Sequence, residues 1–220
     1  MERVTEAFVW PSRDPDWLRK LAIIGLTLLI PIAGAINGLG WMLEAIDRLR
    51  AGEERLPAAN LSYLGRGLGL FVVSLVYIAA VLVVGGVLYA LALTTLSAQG
   101  RDTGSPFLVA TALALLLLAF SVVSAGSLAL TFATPAIVLA VAQGGIGAGL
   151  RVDQIVGASL RSPLNTLIAG LMLIAASFIE GLGIALCGVG ILFTIAYALA
   201  MQAWIVRIFE MSSSSTTGHD

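Results

Sequence analysis

A chain of 220 residues in which 59% are hydrophobic and only 11% charged, with a mean hydropathy of +0.99, falls outside the range of soluble domains, where about a quarter of residues carry charge. It has the composition of an integral membrane protein. A formal charge of −1, with twelve Lys and Arg scattered along the chain, excludes a nucleic-acid binder, which needs a concentrated basic face.

At about 20 residues per membrane span, this length suits one compact multi-pass helical domain over residues 1–210, with 211–220 expected to be a disordered polar tail ending in "SSSSTTGHD". Cys187 is the only cysteine, so no intrachain disulfide is possible. The opening "MERVTEAFVWPSRDPDWLRK" carries four acidic and four basic side chains, and no small-residue cleavage site follows the next apolar run, so it does not read as a cleaved signal peptide. Phe8, Trp10 and Trp17, with Arg19 and Lys20, read as anchors at a headgroup layer. In "SRDPDWL", Asp14 is expected to cap a helix beginning at Pro15, with Asp16 in its first turn.

The next stretch, "LAIIGLTLLIPIAGAINGLGWMLEAIDRLRAG", either crosses the bilayer or enters, turns and leaves on the side it came from. Crossing divides the twelve basic residues five against seven; turning at "PIAG" places all except Arg101 on one side. Because Lys and Arg concentrate on the cytoplasmic side, eleven against one favours the turn. Pro31 ends the first half-helix and Gly34 tolerates the turn, while arms of about 12 to 16 residues are too short to cross comfortably. The expectation is a re-entrant or buried helical hairpin with both termini cytoplasmic. Its second arm is amphipathic: Trp41, Met42, Ala45, Ile46 and Leu49 share one face, and Glu44, Asp47, Arg48 and Arg50 the other. Glu44 with Arg48, and Asp47 with Arg50, are spaced as ion-pair neighbours.

Four spans follow. Gly67 to Ser97 is one. Pro106 to Ala142 is too long for a single span, and Pro135 is expected to end it near Ala133, leaving a short segment at the interface. Ser162 to Phe209 makes two spans joined at "GLGIALCGVG", with Glu180 at the outer interface. "NLSYLGRGLGLFVVSLVYIAA" and "IVGASLRSPLNTLIAGLMLIAA" each place a short semi-polar helix and an arginine, Arg66 or Arg161, before a span, which suggests a weak two-fold internal repeat. The fold class is therefore all-α integral membrane: a hairpin, four transmembrane helices and interfacial amphipathic helices.

"FVWPSRDPDWLRK", "IPIAG" and "LEAIDRLRAGEERLP" followed by a span resemble the opening of the uncharacterised prokaryotic multi-pass family called domain of unknown function 4013. "GGIGAGLRVDQIVGASLRSPLN" is similar to that family's second cytoplasmic loop, with thinner aromatic and acidic content. The resemblance covers most of the first 210 residues and implies a multi-helix domain in a prokaryotic cytoplasmic membrane. It implies no mechanism.

Reactive constellations are missing from the sequence. The only histidine, His219, lies in the polar tail, which leaves no His-based metal cluster and no Ser-His-Asp arrangement; no cofactor is expected. Ser127 lacks the flanks of a nucleophile elbow, and "GGIGAGLR" lacks the Lys-Ser or Lys-Thr of a phosphate loop. The glycines of "GAING" and "GRGLG" are spaced for close helix packing within the chain. The reading is a non-enzymatic accessory or scaffolding subunit whose partners are membrane lipids and other membrane subunits. The alternative is a small transporter or channel for a neutral or lipid-like solute, which calls for a cavity lined by Asn37, Asn165 and Gln202. Pro31, Gly34, Glu44, Arg48, Arg66, Pro135 and Arg161 are the structural or interaction candidates.

Overall fold

The computed structural model describes residues 2–99, 105–185 and 189–216. Among these, every regular element is helical: α1 (Glu2–Val9), a short 3-10 turn (Trp10–Arg13), α2 (Trp17–Thr27), α3 (Ala33–Arg50), α4 (Leu64–Gln99), α5 (Pro106–Gly149), α6 (Val152–Arg161), α7 (Pro163–Ala185) and α8 (Val189–Thr216). Among the described residues four stretches are long and apolar enough to cross a membrane: Leu64–Ser97, Pro106–Gly149, Pro163–Gly181 and Leu192–Ser213. The chain is an all-α multi-pass membrane protein. It divides into two compact units, Met1–Val73 with Thr131–Asp220, and Ser74–Leu130.

In the first unit, α8 is the element on which the others assemble. On α2, Gly25 lies so close to α8 that a Cβ there would fall 2.7 Å from the Leu192 carbonyl oxygen, and Trp17 meets Phe193 and Tyr197. On α3 the order is reversed, with Gly38 beside Leu199 and Arg50 beside Glu210. Consequently α2 runs antiparallel to α8 and α3 parallel to it, and the two arms form a hairpin.

The hairpin breaks where proline requires it. Pro31 has no N–H to continue the helix, and Ile32 adopts φ 63 and ψ −59, closing a γ-turn in which Ala33 N–H donates to the Pro31 carbonyl at 2.6 Å. A β-branched residue with positive φ is strained, and Ile32 is held there while its side chain stays exposed. Gly34 starts the return: a Cβ would lie 2.1 Å from the Thr27 carbonyl oxygen.

The core of this unit contains Leu21, Ile24, Trp41, Met42, Ile46, Met201 and Ile205, all essentially inaccessible. Trp10 joins them. It is fully buried, stacks on Trp204 at 5.6 Å and donates its indole N–H to the Ala200 carbonyl, so it is a core residue rather than the headgroup anchor expected from its place among aromatic and basic neighbours.

The second unit consists of the latter part of α4 and the first part of α5, running antiparallel. Glycine on each helix accommodates valine on the other: a Cβ on Gly85 would fall 2.4 Å from a Val123 methyl, and one on Gly126 would fall 2.8 Å from a Val81 methyl. Leu82, Val83, Leu117 and Phe120 remain exposed.

Several boundaries differ from the sequence reading. α2 begins at Trp17, because the Asp14 carboxylate accepts the Asp16 N–H in a local turn that holds Pro15 and Asp16 outside the helix. Pro135 does not end α5, which continues to Gly149 with its non-helical residue at Gly145 (φ 68). Within a membrane helix the group freed by proline can be satisfied by neighbouring elements, and glycine supplies the real break. α8 extends through Thr216, taking in six residues expected in the tail, with the Ser212 hydroxyl bonded back to the Ile208 carbonyl. The two segments of the suggested repeat differ, since α6 precedes α7 whereas residues 51–63 contain no helix before α4.

Candidate functional site at the base of the hairpin

The polar face of α3 is brought against the start of α4 by a crossing that admits no side chains. A Cβ on Gly67 would lie 1.8 Å from the Ile36 carbonyl oxygen, and one on Gly40 would lie 2.1 Å from that of Tyr63. This contact places Arg66 within reach of α3: its guanidinium meets Glu44 at 2.8 Å and also pairs with Asp47. Arg48 sits 3.7 Å from Glu44 and 3.6 Å from Glu53, and its buried Nε has no hydrogen-bond partner. Arg50 reaches Asp47 at 2.7 Å and grips Glu210 of α8 with two nitrogens, at 2.7 and 3.0 Å. Arg207 completes the set at 2.8 Å from Glu210.

Four arginines and four carboxylates therefore neutralise one another across α3, α4 and α8. Most are about a third exposed, where individual pairs contribute roughly 0 to 1 kcal/mol. The two-pronged Arg50–Glu210 pair is the more sheltered and geometrically fixed. Such an arrangement joins elements. Among the described residues no group of three His, Cys, Asp or Glu is placed to hold a metal ion.

A second cluster joins the chain entering the hairpin to the chain leaving it. Asp14 is 2% exposed; one carboxylate oxygen receives Lys20 at 2.7 Å and the Leu56 N–H at 2.9 Å, and the other receives the Asp16 N–H at 2.8 Å. Burial pushes this carboxyl up, but the hydrogen bonds from Lys20 and the two backbone amides outweigh it and hold the group below the ordinary aspartate range. Lys20 also donates to the Leu56 carbonyl, and Arg13 pairs with Glu54 at 2.8 Å.

Of the candidates read from the sequence, Glu44, Arg48 and Arg66 come together in the first cluster. Pro31 and Gly34 lie at the other end of the hairpin, where Pro31 lines an apolar groove of about 400 Å3 with Ile36, Leu64 and Leu68. Pro135 is buried in α5, and Arg161 ends α6 at a separate groove of about 1340 Å3. Sequence reasoning missed Glu210, Arg207 and the Lys20–Asp14–Leu56 junction, because partners so distant in the chain leave no local spacing to detect. Asn37 does not line a solute cavity: it is fully buried, with its amide donating to the Asn60 carbonyl at 2.9 Å and accepting the Tyr63 N–H at 3.2 Å. It ties α3 to the chain before α4.

No curated protein and no solved structure matches the chain. One family model does, described as "Protein of unknown function (DUF4013)", over residues 23–189, a stretch that takes in the last part of α2 and the whole of α3 to α7. This match covers well over half the sequence, and the chain belongs to that family.

Proposed function

We propose that the protein is a non-catalytic accessory or scaffolding subunit of a membrane assembly, in a prokaryotic cytoplasmic membrane with both chain ends on the cytoplasmic side. In this reading the α2–α3 hairpin dips into the bilayer and returns, and α4 and α5 carry the surfaces that meet other subunits. The observation that supports it is the uneven packing of the apolar helices. The candidate span in α8 is 50% buried within the chain, whereas those in α4 and α5 are 17% and 11% buried. Helices associate in membranes through close van der Waals packing, so α4 and α5 have faces available for it.

The test is site-specific photo-crosslinking in native membranes from Leu82 and Leu117, followed by gentle-detergent purification. Discrete protein adducts at both positions are expected. Adducts to lipid alone, with no co-purifying chain, would refute the subunit reading. A second reading, a small transporter for a neutral or lipid-like solute, draws support from the 1340 Å3 groove and is checked by uptake into vesicles reconstituted with the pure protein.

A further inference from the structure

We infer that the groove at the α6–α7 junction binds the phosphate group of a membrane phospholipid. The groove has a volume of about 1340 Å3 and is bounded by the end of α5, by α6, by the start of α7 and by the end of α8. Its charged lining is Asp153, Arg161, Arg207 and Glu210. Arg207 and Glu210 are paired with each other, and Glu210 is gripped by Arg50, so they contribute little net charge. Arg161 is exposed and has no acidic partner among the described residues, which leaves its guanidinium available. Asp153 is eight residues earlier, about 12 Å away along the helix, so it does not cancel Arg161.

Two features beside Arg161 favour an anion. α7 begins at Pro163, which has no N–H; the Thr166 amide donates to the Ser162 carbonyl at 3.0 Å, and the Leu164 and Asn165 amides remain as the donors a helix N-terminus offers a phosphate oxygen. Ser162, between the two helices, is 8% exposed and lines the groove, and its hydroxyl has no partner among the described residues. An unpaired hydroxyl lining the groove can donate to a phosphate oxygen placed there. A guanidinium, a hydroxyl and a helix N-terminus are the donor set that holds a phosphate.

The lipid source follows from the opposite face of α6. Val152, Val156 and Leu160 recur every four residues and are 55%, 47% and 69% exposed, and Leu164 at the start of α7 is 66% exposed. A short helix with such an apolar stripe and a polar face lies in the headgroup layer of a bilayer. The stripe offers the acyl chains a surface beside the phosphate site.

The test uses the full chain, purified in maltoside, stripped of lipid and titrated with phosphatidylethanolamine in mixed micelles, with bound lipid counted by native mass spectrometry. The parent is expected to retain phosphatidylethanolamine but not diacylglycerol, which lacks the phosphate. Arg161→Gln and Ser162→Ala should each weaken retention about tenfold, and Arg161→Lys should restore most of it. Melting temperatures of all variants are measured alongside, and Ser162→Ala decides if Arg161→Gln melts early. Equal retention of the two lipids, or no loss in Ser162→Ala and Arg161→Gln, overturns the proposal. Inorganic phosphate competing as well as the lipid would overturn the lipid assignment.

Discussion

Arg50 and Glu210, separated by 160 residues, meet through two parallel hydrogen bonds of 3.0 and 2.7 Å and fasten the end of α3 to the end of α8. Their side chains are 26% and 21% exposed, between the regime where ion pairs contribute little and the one where loss of a partner is severe. Arg50→Met is expected to destabilise the protein by about 1 to 3 kcal/mol, because it removes the two-pronged partner of Glu210. Adding Glu210→Gln should cost less than the sum of the single changes, read from thermal unfolding of all four proteins in one detergent. Strict additivity would show the contact to be energetically idle.

The glycines of α4 should divide sharply. At Gly67 a Cβ would overlap the Ile36 carbonyl oxygen, so Gly67→Ala must separate two helix backbones and is expected to cost about 2 kcal/mol or more. At Gly65 nothing lies within 4 Å, so Gly65→Ala should be neutral or stabilising by up to about 1 kcal/mol through helix propensity. The difference in melting temperature between the two variants checks the crossing directly.

Asp14 should govern part of the acid response. Its carboxyl titrates below the ordinary aspartate range in the folded protein, so its contribution is complete above the unfolded-state value and is lost as pH falls through the lower folded-state value. Asp14→Asn should therefore lower the melting temperature at neutral pH. The gap from the parent should persist to about pH 4 and narrow only in stronger acid. A constant gap down to pH 2 would mean that packing, not charge, is what the substitution removes.

The contact between Arg13 and Glu54 places the chain before the hairpin beside the chain after it. Single cysteines at Glu6 and Glu54 are thus expected to react with an impermeant thiol reagent from the same side of the membrane, and one at Ser105 from the opposite side. Opposite labelling of Glu6 and Glu54 would mean that residues 21–43 cross the bilayer.

Much of the architecture was legible because bilayers demand long apolar segments and proline breaks helices locally. The four spans follow from run length, the hairpin break from Pro31 and Gly34, and the Glu44–Arg48 pair from helical spacing. These are properties of neighbours in the chain, so the order of residues by itself determined them. Tertiary structure alone decided what depends on which backbones approach. Trp10, flanked by charge and proline, looked like an interfacial anchor until α8 presented Trp204 and the Ala200 carbonyl to it. Asp14 looked like a helix cap until the chain after α3 supplied the Leu56 amide, and Pro135 looked like a helix end although α5 runs on to break at Gly145. The joining of Arg50 to Glu210 rests on α3 running parallel to α8, a direction set by packing surfaces that are contiguous only in the folded chain.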